Sequence, residues 1–98
     1  MDVILRNQII FALMQALLGA ISPNFRAVII DFSQGVDVRF FLAEDLIEDI
    51  DEIDDVITEF DSLVMAIKAL PIKYCIAVGE ERISFSCDNV IPIYIRRE

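Results

Sequence analysis

The sequence has no histidine, the side chain used most often as a general base, as an activator of nucleophiles and as a zinc ligand. Its two cysteines are too few for a disulfide framework. The three glycines lie far apart, which excludes a glycine-rich phosphate-binding loop. Only 8 basic residues stand against 17 acidic ones, and the net charge of −9 argues against nucleic-acid binding, which needs a basic surface.

Long hydrophobic runs are also missing. The apolar stretch Ile9–Ile21 is shorter than the roughly 18–20 residues of a membrane-spanning helix. It has the length of a signal-peptide core, but Asp2 places a negative charge where such a peptide carries positive charge. We therefore expect a cytoplasmic protein with no membrane segment.

The chain is rich in apolar residues for its size. Its 98 residues predict a single domain, and the hydrophobic content of 56% excludes intrinsic disorder. Average domains contain roughly 45–50% apolar residues with glycine included. Because a small domain cannot easily hide this surplus, we expect some apolar surface to contact a partner.

Residues 2–21 predict a first helix, which Ser22 and Pro23 terminate. Its apolar residues cover a wider arc than one helix in a two-layer domain requires. A narrow strip opposite this arc contains Gln8, Ala12, Gln15 and Gly19. We interpret Gly19 as a position of close helix packing.

The strands Phe25–Phe32 and Val36–Leu42 are predicted to form a β-hairpin. Residues that pair across two strands share a face of the sheet. A three-residue loop that ends at Gly35 matches the apolar faces and places Ile30 opposite Val38. We therefore predict this loop, with Gly35 in a left-handed conformation.

Segment Ala43–Leu70 is predicted to be a long helix that Pro71 closes. Its apolar residues recur at alternating spacings of four and three, which indicates a stripe facing the core. The stripe comprises Leu46, Ile50, Ile53, Ile57, Phe60, Val64 and Ile67.

The remaining sequence predicts three strands, Ile72–Val78, Arg82–Cys87 and Val90–Ile95. The first two form a hairpin in which Cys75 and Cys87 point to opposite faces, so no disulfide is expected. Pro92 places the last strand at a sheet edge. The order α-β-β-α-β-β-β predicts an α+β domain with two helices packed on one face of a mainly antiparallel sheet.

The negative charge is concentrated in segment 44–61, which holds ten of the 17 acidic residues and no Lys or Arg. Like charges three and four residues apart destabilise a helix by a few tenths of a kcal/mol per pair. Such repulsion favours a cationic partner that relieves it. The residues predicted to contact this partner are Glu44, Glu48, Asp51, Glu52, Asp55 and Glu59.

Two other interpretations of the acidic segment remain. The first is a solvated helix face whose first acids complement the helix dipole. The second is calcium binding, but the spacing matches no EF-hand loop and includes no glycine turn. We predict no metal site.

A second candidate surface lies on the back of the first hairpin. Asp31 and Asp37 are predicted to be neighbours whose repulsion Arg39 relieves, and Ile29 and Phe41 share their face. One interpretation is a binding patch with Phe41 as aromatic anchor and a charged rim. The other is an ordinary sheet face whose apolar residues lie under a C-terminal segment or a dimer contact.

The sequence offers little for catalysis. Ser84 and Ser86 alternate along a predicted strand with no histidine to activate them. Cys75 and Cys87 lack a CxxC spacing or a basic cluster that would lower a thiol pKa. Exposed carboxylate pairs lack the desolvation that acid–base chemistry needs. We predict a protein that is not an enzyme and binds no cofactor.

Several runs of sequence form a pattern: Leu-Arg-Asn-Gln at 5–8, Ala-Leu-Leu-Gly at 16–19, residues 21–28, Ile-Thr-Glu-Phe at 57–60 and the ending at 92–98. This pattern resembles small bacterial immunity proteins that accompany polymorphic toxins, including those of contact-dependent growth inhibition. The resemblance spans nearly the whole chain. It implies a cytosolic inhibitor of one cognate toxin domain, often a nuclease, and it carries over no catalytic residues.

The leading hypothesis is therefore an immunity protein whose carboxylates mimic phosphates and pair with toxin Lys and Arg. The alternative is a homodimeric structural or adaptor protein without a toxin partner. The apolar surplus favours this alternative, through either helix 2–21 or the back of the first hairpin.

Overall fold

A computed structural model describes residues 2–81 and 89–96. These residues form α1 (Val3–Ala16), β1 (Phe25–Asp31), β2 (Val36–Leu42), α2 (Ile47–Ile67), β3 (Ile72–Val78) and β4 (Val90–Ile95). The predicted α+β class is confirmed, and both helices contribute to one core on the same face of the sheet. The predicted strand Arg82–Cys87 lies outside the described residues.

The sheet has the strand order β3-β2-β1-β4. β1 is antiparallel to both of its neighbours, whereas β3 runs parallel to β2. The parallel pairing follows from α2, because parallel neighbours need a long crossover, which is usually a helix. β4 lies at an edge of the described sheet, as Pro92 predicts.

The register of the first hairpin agrees with the prediction. Ile30 pairs with Val38 and Asp31 pairs with Asp37. The same register extended by one position places Phe32 opposite Val36 and leaves residues 33–35 as the loop. Gly35 in this loop has a φ of +101°, a conformation that L side chains rarely adopt.

The core lies between the helices and the front face of the sheet. The sheet contributes fully or almost fully buried residues from β1 and β2, namely Phe25, Val28, Ile30, Val36, Val38, Phe40 and Leu42. Ile72 and Ile76 of β3 pack against this cluster from the side. The ring of Tyr74 meets that of Phe40 edge to face, with centroids 6.4 Å apart.

The predicted stripe of α2 is correct in its centre and wrong at its ends. Ile53, Phe60 and Val64 are fully buried, Ile50 and Ile57 are partly buried against the core, and Val56 is buried in addition to the predicted residues. The outermost stripe residues, Leu46 and Ile67, retain 37% and 38% exposure. The helix is shorter than predicted, so these two residues lie at its termini, where packing against the sheet ends.

The first helix differs most from the prediction. It ends at Ala16, and Gly19 lies in the following turns with a φ of +79°. A Cβ at Gly19 would meet nothing within 4 Å, so this glycine serves a turn and not close packing. Ala12, expected on the strip away from the apolar arc, is buried, because small residues let the helix approach its neighbours.

The outward side of α1 is consequently apolar. Ile4, Phe11 and Met14 lie on it, and at least half of each side chain is exposed. Among the described residues, neither helix has both the length and the hydropathy required to cross a bilayer.

Candidate partner-binding surfaces

The acidic face consists of Glu48, Asp51, Glu52, Asp55 and Glu59 on α2 and Glu44 just before it. All six side chains are exposed. The five acids on α2 lie on the side of the helix opposite Ile53 and Phe60, so the core contacts of α2 determine where these five side chains point. The structure thus brings together the six acidic residues that the sequence proposes as one contact surface.

Among the described residues, no basic side chain relieves the mutual repulsion on this face. Five pairs three or four residues apart can be formed among Glu48, Asp51, Glu52, Asp55 and Glu59. At a few tenths of a kcal/mol each, they cost about 1–2 kcal/mol at low salt. Within residues 2–81 and 89–96, no Lys or Arg forms an ion pair with any of them. Only acids in the first turn gain from the helix dipole.

A buried carboxylate holds the start of this helix in place. Asp49 is only 7% exposed, and its two oxygens accept hydrogen bonds from Ser22 Oγ and Asn24 Nδ2, each at 2.9 Å. Asn24 also binds the backbone of Glu44, donating to its carbonyl and accepting from its N–H, both at 2.8 Å. The loop before β1 therefore positions both Glu44 and the first turn of α2.

Sequence reasoning counted Asp49 among the charged residues and missed this role. A signal was available, since Asp49 lies four, seven and eleven residues before Ile53, Val56 and Phe60 and so shares their buried face. A carboxylate on a core-facing stripe needs hydrogen-bond donors nearby.

The predicted cluster on the back of the sheet is present. Arg39 Nη2 lies 3.2 Å from Asp31 Oδ2 and 3.2 Å from Asp37 Oδ2. Hydrogen bonds from the hydroxyl and the backbone N–H of Ser33, with the charge of Arg39, hold the pKa of Asp31 below its usual 3.8. Lys73 adds a second positive charge to a shallow hollow of about 230 Å³ at this place. Two acids and two bases make the cluster electrically balanced.

The aromatic anchor proposed for this back face is not freely exposed. Phe41 is half-buried and Ile29 is 2% exposed. Cys75 pairs with Arg39 in the parallel register and is exposed on the same side of the sheet. Desolvation, together with the negative charge of Asp37, raises the pKa of this thiol above 9.0, so it is protonated at neutral pH and a poor nucleophile.

The structure separates the ten predicted contact residues into two surfaces. The acidic face lies on the helical layer, whereas Asp31, Asp37, Arg39 and Phe41 share the back of the sheet. In the part of the chain that is described, no group of three or more Cys, Asp or Glu side chains is arranged to hold a metal ion.

Comparison with known proteins shows which protein family the chain belongs to. The model of a family described as MafI2 immunity protein matches residues 6–98. A search of curated proteins finds no match. The matched region begins within α1 and includes all of α2 and the described sheet. The resemblance to toxin-immunity proteins is thereby confirmed, and the chain belongs to the MafI2 immunity protein family.

Proposed function

We propose that this protein neutralises a cognate bacterial toxin in the cytoplasm by binding it through the acidic face of α2, without catalysis. Membership in an immunity family supports a toxin partner. The observation that carries the choice of surface is the row of exposed acids that continues well beyond the first turn of α2 and that forms no ion pair with any described Lys or Arg.

A toxin with a basic active site, such as a nuclease, is the partner whose chemistry fits best. Residues 48–59 of an α-helix span about 16 Å, so the carboxylates form a negative row of that length. Nucleases bind phosphates through Lys and Arg, and a row of carboxylates can pair with the same groups. Docking there would cover the toxin's substrate site and relieve the repulsion along α2.

The family also bears on the alternative function. A homodimeric adaptor without a toxin partner would explain the apolar surplus but not the match to an immunity family. We therefore favour the toxin inhibitor, acting on a toxin of the type delivered between neighbouring cells, as in contact-dependent growth inhibition.

The test compares two charge reversals of equal size. Asp51→Lys with Asp55→Lys changes the acidic face by four charges, and Glu80→Lys with Glu81→Lys makes the same change at exposed positions elsewhere. Each protein is titrated against the toxin domain encoded by the neighbouring gene at several salt concentrations. We expect the first variant to lose about 10–1,000-fold in affinity, and the salt dependence to become weaker.

The control pair distinguishes a contact from a general effect of net charge. The variant with both Glu80 and Glu81 reversed should stay within about threefold of the wild-type affinity, since exposed charges outside an interface contribute little to binding. Circular dichroism of both variants should show an intact fold. Equal losses in the two variants, or none in the first, would refute the assignment of the acidic face.

A further inference from the structure

A groove with an uncharged lining lies beside the last turns of α2, beyond the end of the acidic face at Glu59. It has a volume of about 560 Å³ and runs between the N-terminal part of α1 and the last turns of α2. Ile4, Phe11, Leu63 and Ile67 line it together with Ala12 and three amide side chains, and no lining residue is charged.

The rim of the groove carries unusually exposed apolar side chains. Phe11 is 70% exposed and Ile4 is 74% exposed, although both belong to a regular helix of the domain. Val3, Met14 and Met65 extend the apolar surface with exposures of 69%, 50% and 58%. A two-fold symmetric contact needs a surface that is complementary to itself, and a protruding aromatic ring beside a hollow meets this condition, because each copy supplies both parts.

The distribution of charge indicates which partner fits. Each chain carries a net charge of −9, so two copies repel unless they meet where acids are absent. α1 contains one charged residue, Arg6, and α2 contains none after Asp61. A cationic toxin surface has no charge to pair with among the residues that line this groove, whereas a second copy meets an uncharged lining, with Asp2, Glu59 and Asp61 at its border.

The arrangement of the helices keeps the two acidic faces apart in such a pair. The N-terminal half of α1 lies beside the C-terminal end of α2, and Asp49 at the other end of α2 binds Ser22, which follows α1. The acidic residues of the first turns of α2, Glu48 to Asp55, therefore lie away from the groove, whereas Glu59 lies one turn before Leu63. Contact through the groove leaves the part of each acidic face between Glu48 and Asp55 available.

We infer that two copies of this chain form a homodimer through this groove, with Phe11 of each copy entering the groove of the other. An aromatic residue buries about 150–250 Å², and the two Phe11 rings with their apolar neighbours form the centre of an interface. A standard interface buries roughly 800 Å² per partner, so the contact requires the exposed apolar residues of α1 and α2 and their amide neighbours in addition to Phe11. This inference does not rest on the proposed toxin binding.

The test is sedimentation equilibrium of the full chain between about 1 and 100 µM, the range in which a dimer of this size is detected. Wild type should fit a monomer–dimer equilibrium. Phe11→Gln and Ile4→Gln should each raise the dimer dissociation constant at least tenfold, because each substitution occurs twice in the dimer. Ile47→Gln is the matched control, since Ile47 is 76% exposed at the acidic end of α2 and should leave the constant unchanged.

The outcomes separate this inference from the proposed toxin contact. A wild-type protein that is monomeric at about 100 µM would overturn the dimer whatever the toxin does. A dimer that Phe11→Gln and Ile4→Gln leave intact would place the interface elsewhere and also refute it. Loss of toxin affinity in Phe11→Gln, with a monomeric wild type, would assign the groove to the toxin instead.

Discussion

Replacing Asp49 by alanine tests whether the buried carboxylate holds α2 in place. The substitution removes two hydrogen bonds, from Ser22 Oγ and from Asn24 Nδ2, both 2.9 Å long. Bonds to charged groups contribute about 1.5–3 kcal/mol each, and removal of one partner leaves the others unsatisfied. Release of a desolvated charge offsets part of this loss. We expect the free energy of unfolding to fall by about 2–3 kcal/mol, out of a total of about 5–15 kcal/mol.

The asparagine variant separates the charge from the hydrogen bonds. The side-chain amide of Asn24 cannot exchange the positions of its oxygen and nitrogen without losing its two hydrogen bonds to the Glu44 backbone. Its Nδ2 therefore still points at residue 49 and needs an acceptor there. In Asp49→Asn the new amide can accept from Asn24 and donate to Ser22 Oγ, which keeps both contacts. Its cost should therefore be about 1 kcal/mol, less than half that of alanine.

Urea unfolding followed by circular dichroism measures both variants, with Asp54→Ala as the control. Asp54 is exposed on the same helix, so its removal should change stability by no more than about 0.5 kcal/mol. A loss of 2–3 kcal/mol in a domain of this size lowers the melting temperature by about 10–20 °C. Equal stabilities of Asp49→Ala and Asp54→Ala would show that the Asp49 carboxylate does not anchor the helix.

Two further predictions concern the first hairpin. The lowered pKa of Asp31 stabilises the fold above pH 3.8, and this contribution is lost as the pH falls through the folded-state pKa. Asp31→Asn should therefore be less stable than wild type at pH 6, and urea titrations should show the difference shrinking in acid; a constant difference would contradict this. Gly35→Ala should cost about 1–2 kcal/mol, because a φ of +101° strains any L residue. Its neighbour Gln34→Ala should change the melting temperature little, and equal effects of the two would argue against backbone strain.

Of the two electrostatic clusters in the structure, one could be predicted from the sequence and the other could not. The Asp31–Arg39–Asp37 cluster could be predicted because cross-strand pairing places these residues side by side once the hairpin register is known. The bonds from Ser22 and Asn24 to Asp49 join residues more than twenty positions apart. No local pattern specifies such a contact, although the position of Asp49 on the buried stripe indicated that some donor was needed.

The amino-acid sequence alone determined the strands β2, β3 and β4 to the residue and the register of β1 against β2. Alternation with a period of two leaves one register in which apolar residues face each other, so local pattern is sufficient there. It also determined the acidic outer face of α2, because α2 is clearly amphipathic and its apolar stripe specifies which side turns outward.

Only the tertiary structure decided the orientation of α1 and the parallel pairing of β3 with β2. α1 is apolar nearly all round, so its periodicity distinguishes no inward side. In the structure Ile9 and Leu13 are fully buried and Ala12 and Ala16 are buried beside them, whereas Phe11 and Met14 remain exposed. Packing of α2 across the sheet determined which strand β3 joins, since the choice between neighbours depends on the path of a 21-residue helix and not on the strand itself. Both the orientation of α1 and the pairing of β3 depend on contacts between segments that are distant in the chain. A local sequence pattern does not specify such contacts.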